Sequence, residues 1–322
     1  MRALQVEAFG DPKALKVSDI PERAPGRGEV QIRMAGVGIG YFDGLLVKGE
    51  YQIKPPLPFV PGSAIAGVIA QVGEGVTHVK PGDHVAAFAL LGGMAELVTL
   101  NGMSCFPLPK SIPLVDAANF FIAYATGLYG LRELGHLKAG ETLLVLGASG
   151  TTGSTAIELG KAMGAKVIAC ASTAEKRQHC LDAGADLAVD YTAADWRNQV
   201  KAASGRGVNV VYDPVGGDMT EAALRLMAPG GRHLIVGFVT GIAKIPSNLP
   251  LLKRCSVIGV NWGGETLENP AVVPPVIKTL IEWTEAGKLK TKPDHVYPMA
   301  RAGEAFASIF DRSSSGKIVI TP

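Results

Sequence analysis

Three glycines spaced three residues apart, Gly147, Gly150 and Gly153, stand in LLVLGASGTTGSTAIELGKAMGAKVIAC, residues 143–170. An apolar, β-prone run leads into them, a helical pattern follows, and a second apolar run closes the segment. Glycines at such a strand-to-helix turn allow a tight bend. They also let a phosphate approach the backbone N–H groups at the helix start, where the helix dipole favours negative charge. Gly147, Ala148, Ser149, Gly150, Thr151, Thr152 and Gly153 are therefore candidates to cradle a pyrophosphate. Ala156 and Gly160 leave room for the helix to lie close to the sheet. A glycine pattern alone marks any turn; the strand–loop–helix–strand context points to a dinucleotide.

The second strand distinguishes between dinucleotides. An NAD site usually offers Asp or Glu near its end to hold the ribose 2′-hydroxyl. Here the strand leaves as CASTAEKRQ, giving Ser172, Lys176 and Arg177. A hydroxyl and two cations suit a 2′-phosphate, hence NADPH. The alternative is a solvated helix start, which Glu175 in the same turn favours.

The elements that must carry these residues alternate. From about residue 120, TLLVLG, AKVIAC, DLAVDY, VNVVYDPVG, RHLIVGF and CSVIGVNW read as short buried strands. Between them STAIELGKAMG, AEKRQHCLDAG, AADWRNQVKAAS and MTEAALRLMAPG have helical spacing. Such alternation predicts an α/β fold with a parallel, doubly wound sheet. The part before residue 120 differs. EVQIRMAGVGI, PGDHVAAFA and AELVTL are strands between Gly/Pro turns, as in a compact barrel-like β domain. After about residue 265 come a helix, PPVIKTLIEWTEAGKL, then a helix and strand in AGEAFASIFDRSSSGKIVI. These are too few to form a domain, so they are expected to return to the first one.

Composition narrows the function. At 322 residues, 19% charged and 47% hydrophobic, the chain has the balance of a globular protein with two cores. Its net charge of +2 is spread along the chain without a basic run, which argues against nucleic acid as a partner. The N-terminus lacks a signal-peptide pattern, and the uncharged runs, 19 residues at most over 55–73, are too interrupted by Pro, Gly, Asn or Gln to span a bilayer. Cys105, Cys170, Cys180 and Cys255 form no C-x-x-C pair. Reduced thiols and a cytoplasmic location are expected.

Taken together, PGSAIAGVIAQVGEGV, KPGDHVAAF, ATGLY, the glycine loop, GADLAVDY, YDPVGG, LPLLKRCSVIGVNWG and SSSGKIVI resemble the medium-chain dehydrogenase/reductase superfamily. Within it the chain is similar to the zinc-free quinone oxidoreductases of the zeta-crystallin type. The resemblance implies a GroES-like β-rich catalytic domain at 1–120, completed by 265–322, around a Rossmann domain at 121–264. It implies an active site in the cleft between them and a homodimer formed through the Rossmann sheet edge. Thr126 is then expected to touch the nicotinamide, with Gly237, Phe238 and Asn261 lining it. Ser172, Lys176 and Tyr191 are expected around the 2′-phosphate, and Lys317 of the terminal marker joins the cofactor set. The family commonly carries Asn-x-x-Asp after the strand at 30–39; GIGYFDGLL keeps Asp43 but has Gly40 for the Asn. Gly40 is a candidate for positive φ.

Zinc members of the superfamily have Gly-His-Glu where this chain has Gly62-Ser63-Ala64, and a four-Cys lobe after about residue 90. AFALLGGMAELVTL passes through that region without one. Zinc needs three or four converging Cys, His or carboxylate ligands; His78 and His84 have no such company, and no metal is expected. Without a Lewis acid an alcohol is hard to oxidise, whereas quinones and α,β-unsaturated carbonyls accept hydride more readily. Tyr51 and Tyr41 are candidates to pack or hydrogen-bond a planar acceptor, or else are aromatics that fill the domain interface. Asp43 either serves the pocket or orients a loop. The leading expectation is NADPH-dependent quinone reduction. Enone or enoyl-thioester reduction and non-catalytic NADPH or RNA binding are the alternatives.

Overall fold

The computed structural model describes residues 1–322. The chain divides into two compact units. One comprises Met1–Ala123, Ile277–Glu285 and Thr291–Pro322, the other Tyr124–Val276 and Ala286–Lys290.

In chain order the elements are β1 (Arg2–Gln5), β2 (Lys16–Asp19), β3 (Glu29–Ile39), α1 (Tyr41–Lys48), β4 (Ala64–Val72), β5 (His84–Phe88), β6 (Leu97–Asn101) and β7 (Cys105–Pro107). Next come α2 (Leu114–Ala117), α3 (Ala125–Leu128), β8 (Thr142–Val145), α4 (Thr151–Ala162), β9 (Lys166–Cys170), α5 (Ala174–Asp182) and β10 (Leu187–Val189). The alternation continues with α6 (Trp196–Ser204), β11 (Val208–Asp213), α7 (Gly217–Leu224), β12 (Met227–Ile235), α8 (Asn248–Lys253), β13 (Ser256–Gly259) and α9 (Trp262–Glu268). The chain closes with α10 (Val273–Glu285), β14 (His295–Pro298), α11 (Ala302–Phe310) and β15 (Ile318–Thr321).

The first unit is built on the sheet β14-β15-β3-β4-β5-β7, with β6 also pairing β3. Strand β3 pairs β4 with register shifts at Gln31/Ile32 and Met34/Gly36; such bulges bend a long strand and raise its twist. Ile32, Met34, Val37, Ile65, Ile69 and Val85 form its core together with Phe306, Ile318 and Ile320 from the chain's end. That return is driven by burial: Phe306 and Ile320 are fully covered, each contributing about 1.5–3 kcal/mol.

The second unit holds the parallel sheet β10-β9-β8-β11-β12-β13. Leu143, Leu144, Val145, Val167, Ile168, Val210 and Val211 are inaccessible, as expected of strands covered by helices on both faces. The helix expected over MTEAALRLMAPG ends at Leu224, and β12 begins at Met227. Pro229-Gly230-Gly231 cannot continue a helix, and the pairing of β11 with β12 is irregular there. Residues 286–290 belong to this unit through Glu158, a nearly inaccessible carboxylate on α4. It accepts hydrogen bonds from the Tyr124 hydroxyl at 2.7 Å and from Lys290 N–H at 2.8 Å.

One helical stretch, Leu114–Leu134, is long and apolar enough to cross a membrane by composition, but 72% of its 18-residue window is buried in the protein.

Candidate functional site

In the parallel sheet the order reverses between β8 and β11, so the loops leaving their C-terminal ends diverge and open a crevice there. The glycine loop leaves β8 at this point. Gly147 has φ +54°, a conformation that costs a side-chain-bearing residue. A Cβ on Gly153 would collide with the Gly147 carbonyl and with Ala148, so α4 begins as close to the loop as backbone permits. Its N-cap, Gly150, brings no side-chain acceptor to the first helical turn. A dipole end without a side-chain N-cap, after a turn in which Gly147 and Gly150 carry no side chain, fits a pyrophosphate. Ala148 N–H bonds the Cys170 carbonyl at 3.1 Å, fixing the loop to the end of β9. A Cβ on Gly160 would strike Leu143 and Val167, which is the close helix–sheet packing expected there.

Past β9, Ser172, Lys176 and Arg177 are all partly buried. Thr173 caps α5, its hydroxyl accepting from Lys176 N–H at 3.2 Å. Arg177 is not the unengaged cation that its sequence position promised. Its Nη1 donates to the Ser172 carbonyl at 3.0 Å and to Asp190 Oδ2 at 2.8 Å. Asp190 Oδ1 accepts from Thr192 N–H at 2.9 Å and its hydroxyl at 2.6 Å. The turn carrying Tyr191 is thereby held. Hydrogen bonds from Thr192, then the Arg177 charge, keep the Asp190 carboxyl below its ordinary range. The sequence reading overlooked Asp190. Its one visible signal was its position at the exit of the strand beside β9.

The loops after β11 and β12 meet on the other side of the crevice. Asp213 and His233 are inaccessible. Asp213 Oδ1 accepts from Val215 and Gly216 N–H, both at 2.9 Å, while Oδ2 faces Thr220 Oγ1 at 2.6 Å and His233 Nε2 at 2.9 Å. Burial opposes ionisation of this carboxyl, but His233, Thr220 and the Gly216 N–H hold it below the usual range. The 214–217 turn so fixed packs against the glycine loop: a Cβ on Gly147 would meet Val215 at 2.8 Å, and one on Gly216 would meet Phe238 at 2.8 Å. Gly237 N–H donates to the Asp213 carbonyl at 3.2 Å, and Phe238 is 49% exposed. Asn261 is exposed and caps α9, accepting from Gly264 N–H at 3.0 Å. Thr126 is partly buried on α3, beside Gly127, where a Cβ would press on Leu159 of α4. The structure thus gathers fifteen of the sixteen cofactor candidates in one unit, most of them in loops at the C-terminal edge of its sheet. Lys317 belongs to the other unit, next to β15. Its buried side chain lies 3.8 Å from Asp294 and its N–H bonds that carboxylate at 2.7 Å.

The acceptor-side candidates are in the first unit. Asp43, at the third position of α1, is inaccessible, as is Ser63. Its Oδ2 accepts from Gly40 N–H at 2.9 Å and its Oδ1 from the Ser63 hydroxyl at 3.1 Å. Burial pushes this carboxyl up to about 6 despite those bonds. Asp43 therefore joins the start of α1 to the start of β4 from an inaccessible position. Gly40 has φ −143°, which corrects the expectation of positive φ, and a Cβ there would meet nothing within 4 Å. Tyr41 packs edge-on against Phe310 with centroids 5.2 Å apart, and Tyr51 against Phe42 at 4.6 Å. Partial burial raises the Tyr51 phenol above its ordinary value.

Two family models match the chain: an alcohol dehydrogenase GroES-like domain over residues 26–110 and a zinc-binding dehydrogenase domain over 151–282. The rat quinone oxidoreductase-like protein 2 is 34% identical over 95% of this chain and 89% of its own. Rat quinone oxidoreductase is 32% identical over 99% of this chain and 97% of its own. Among solved structures, Escherichia coli quinone oxidoreductase complexed with NADPH superposes with a TM-score of 0.92 at 27% identity, covering 100% of both chains. The chain belongs to the medium-chain dehydrogenase/reductase superfamily, in its quinone oxidoreductase-like branch.

This member of the superfamily thus has a GroES-like domain and a Rossmann-type domain with a six-stranded parallel sheet. Although one matching model is named for zinc binding, no three His, Cys, Asp or Glu side chains converge anywhere in the chain. Where zinc members carry a ligand histidine, Ser63 donates to Asp43 instead. His78 Nε2 lies 2.9 Å from the Gly102 carbonyl, an ordinary loop contact. Cys105, Cys170 and Cys180 are buried, and burial pushes each thiol up to about 12, so none supplies a thiolate near neutral pH.

Proposed function

We propose that this protein is an NADPH-dependent reductase that delivers hydride to quinones. The observation that carries this reading is the exit of β9, where Ser172, Lys176 and Arg177 stand in place of the carboxylate an NAD site would use. The glycine loop and the start of α4 would hold the pyrophosphate, and Ser172, Lys176, Arg177 and Tyr191 the 2′-phosphate. Thr126, Gly237, Phe238 and Asn261 would border the nicotinamide. Bound there, NADPH would supply a hydride, and one proton from water would complete reduction of a quinone to its hydroquinone. Tyr51 and Tyr41 would bound the acceptor, and Asp43 would shape that wall from behind through Gly40 and Ser63.

Quinones are favoured over enones because Gly40 leaves the α1 entrance without a fixed amide donor. A developing enolate needs such a donor in the transition state, whereas aromatisation helps drive quinone reduction. We further propose a homodimer, since β13 ends the parallel sheet as an edge strand. The test is NADPH oxidation followed at 340 nm across a panel of quinones and simple enones, repeated with NADH. Quinones should give the higher kcat/KM, with NADPH preferred. Faster turnover of enones than of every quinone would replace this reading with enone reduction. NADPH binding without turnover of any acceptor would leave a binding protein.

A further inference from the structure

The carboxylate of Asp190 stands among the residues assigned above to the 2′-phosphate, where a negative charge is unexpected. Its two oxygens do different work. Oδ1 closes the turn after β10 by accepting from Thr192 N–H and Oγ1. Oδ2 takes one proton of Arg177 Nη1 at 2.8 Å, and the other goes to the Ser172 carbonyl at 3.0 Å. One carboxylate therefore links the exit of β9, the first turn of α5 and the turn that bears Tyr191. Arg177 is held through a single nitrogen. Its Nη2 and Nε keep three N–H donors, enough for the two-pronged grip on phosphate that a guanidinium offers. The pair is only partly exposed, at 26% and 30%.

We propose that Asp190 is a specificity-determining positioning residue: by fixing Arg177 against Ser172 it prepares the guanidinium for a 2′-phosphate and so widens discrimination between NADPH and NADH. Two effects of opposite sign follow from its charge. Repulsion between the carboxylate and a bound phosphate works against NADPH. Immobilising a long side chain before binding works for it, because that ordering otherwise subtracts from affinity. Asp190→Asn separates the carboxylate's two tasks. The amide oxygen still accepts from Thr192 N–H, but the NH2 group cannot accept from Arg177.

The experiment measures the dissociation constants of 2′,5′-ADP and 5′-ADP by calorimetry, without turnover. The proteins are wild type, Asp190→Asn, Arg177→Gln and the double variant. The inference rests on the NADPH reading, which the wild type tests first through its preference for 2′,5′-ADP. Asp190→Asn should then reduce that preference roughly three- to tenfold, leaving 5′-ADP affinity unchanged as an internal check on folding. In the Arg177→Gln background, where only repulsion remains, the same substitution should leave the preference unchanged or increase it. A wild type that binds both nucleotides equally overturns the cofactor reading and this inference with it. A wild-type preference that survives or grows in Asp190→Asn overturns the inference alone.

Discussion

Asp43 offers a test whose sign follows from the structure. The carboxylate is inaccessible and held by Gly40 N–H and the Ser63 hydroxyl, and burial raises it from 3.8 to about 6. A carboxyl with a raised folded-state pKa binds its proton more tightly folded than unfolded. Stability from this group is therefore gained as pH falls through about 6, and the gain is complete near the unfolded value of about 4. At pH 7.5 the charged carboxylate costs the fold about 3 kcal/mol relative to its protonated form. Asp43→Asn removes the charge while its amide can still accept from Gly40 N–H and donate to Ser63 Oγ. The variant should thus be more stable than wild type at pH 7.5 by about 2–3 kcal/mol, allowing for one hydrogen bond remade. Between pH 7.5 and 5 the wild type alone should gain on the order of 1 kcal/mol. For units of this size that moves the gap between the two melting temperatures by about 2–4 °C in favour of wild type. Thermal melts of both proteins at pH 5, 6 and 7.5 give the result, and comparing the pair cancels the other carboxylates. A gap that does not change with pH would refute the buried-carboxylate reasoning.

The other expectations concern the cofactor and the acceptor. Lys176→Ala should weaken NADPH about 10- to 100-fold, as for loss of a hydrogen bond between charged groups, with NADH nearly unchanged in fluorescence titrations. Equal weakening of both would sink the assignment of Lys176 to the phosphate. Gly153→Ala should abolish measurable dinucleotide binding, because its methyl would occupy the space of the Gly147 carbonyl; near-normal titration would disprove the cradle. Gly40→Asn should fold as well as wild type, given φ −143° and open space for its Cβ, and should raise enone turnover relative to quinone turnover. Finally, prolonged chelation should change neither activity nor the melting temperature; loss of activity restored by zinc would contradict the absence of a ligand cluster.

The Rossmann-type domain was legible in the sequence because its signals are local. Alternating apolar runs and helical patterns specify strands and helices by period alone, and a glycine turn between β8 and α4 needs only its neighbours in the chain to be recognised. The loops leaving the strands were legible for the same reason. In a parallel sheet every strand ends at the same edge, so Ser172, Tyr191, Gly237 and Asn261 follow strands β9, β10, β12 and β13 to that edge.

Pairings between distant residues were not legible. Arg177 and Asp190 are thirteen residues apart, Asp43 and Ser63 twenty, and Asp213 and His233 twenty. No periodicity relates the members of such pairs, since only the sheet order and the loop paths bring them within 3 Å or so. The conformation of Gly40 was equally out of reach: glycine permits positive φ without requiring it, and the hydrogen bond from its N–H to Asp43 holds it extended. The sequence by itself determined the glycine turn, the strand-end positions of the phosphate candidates and the lack of the zinc members' ligand residues, because residue type and local order suffice for these. Only the tertiary structure decided which of those charges are already engaged, because a side chain's partner is set by what the fold places opposite it.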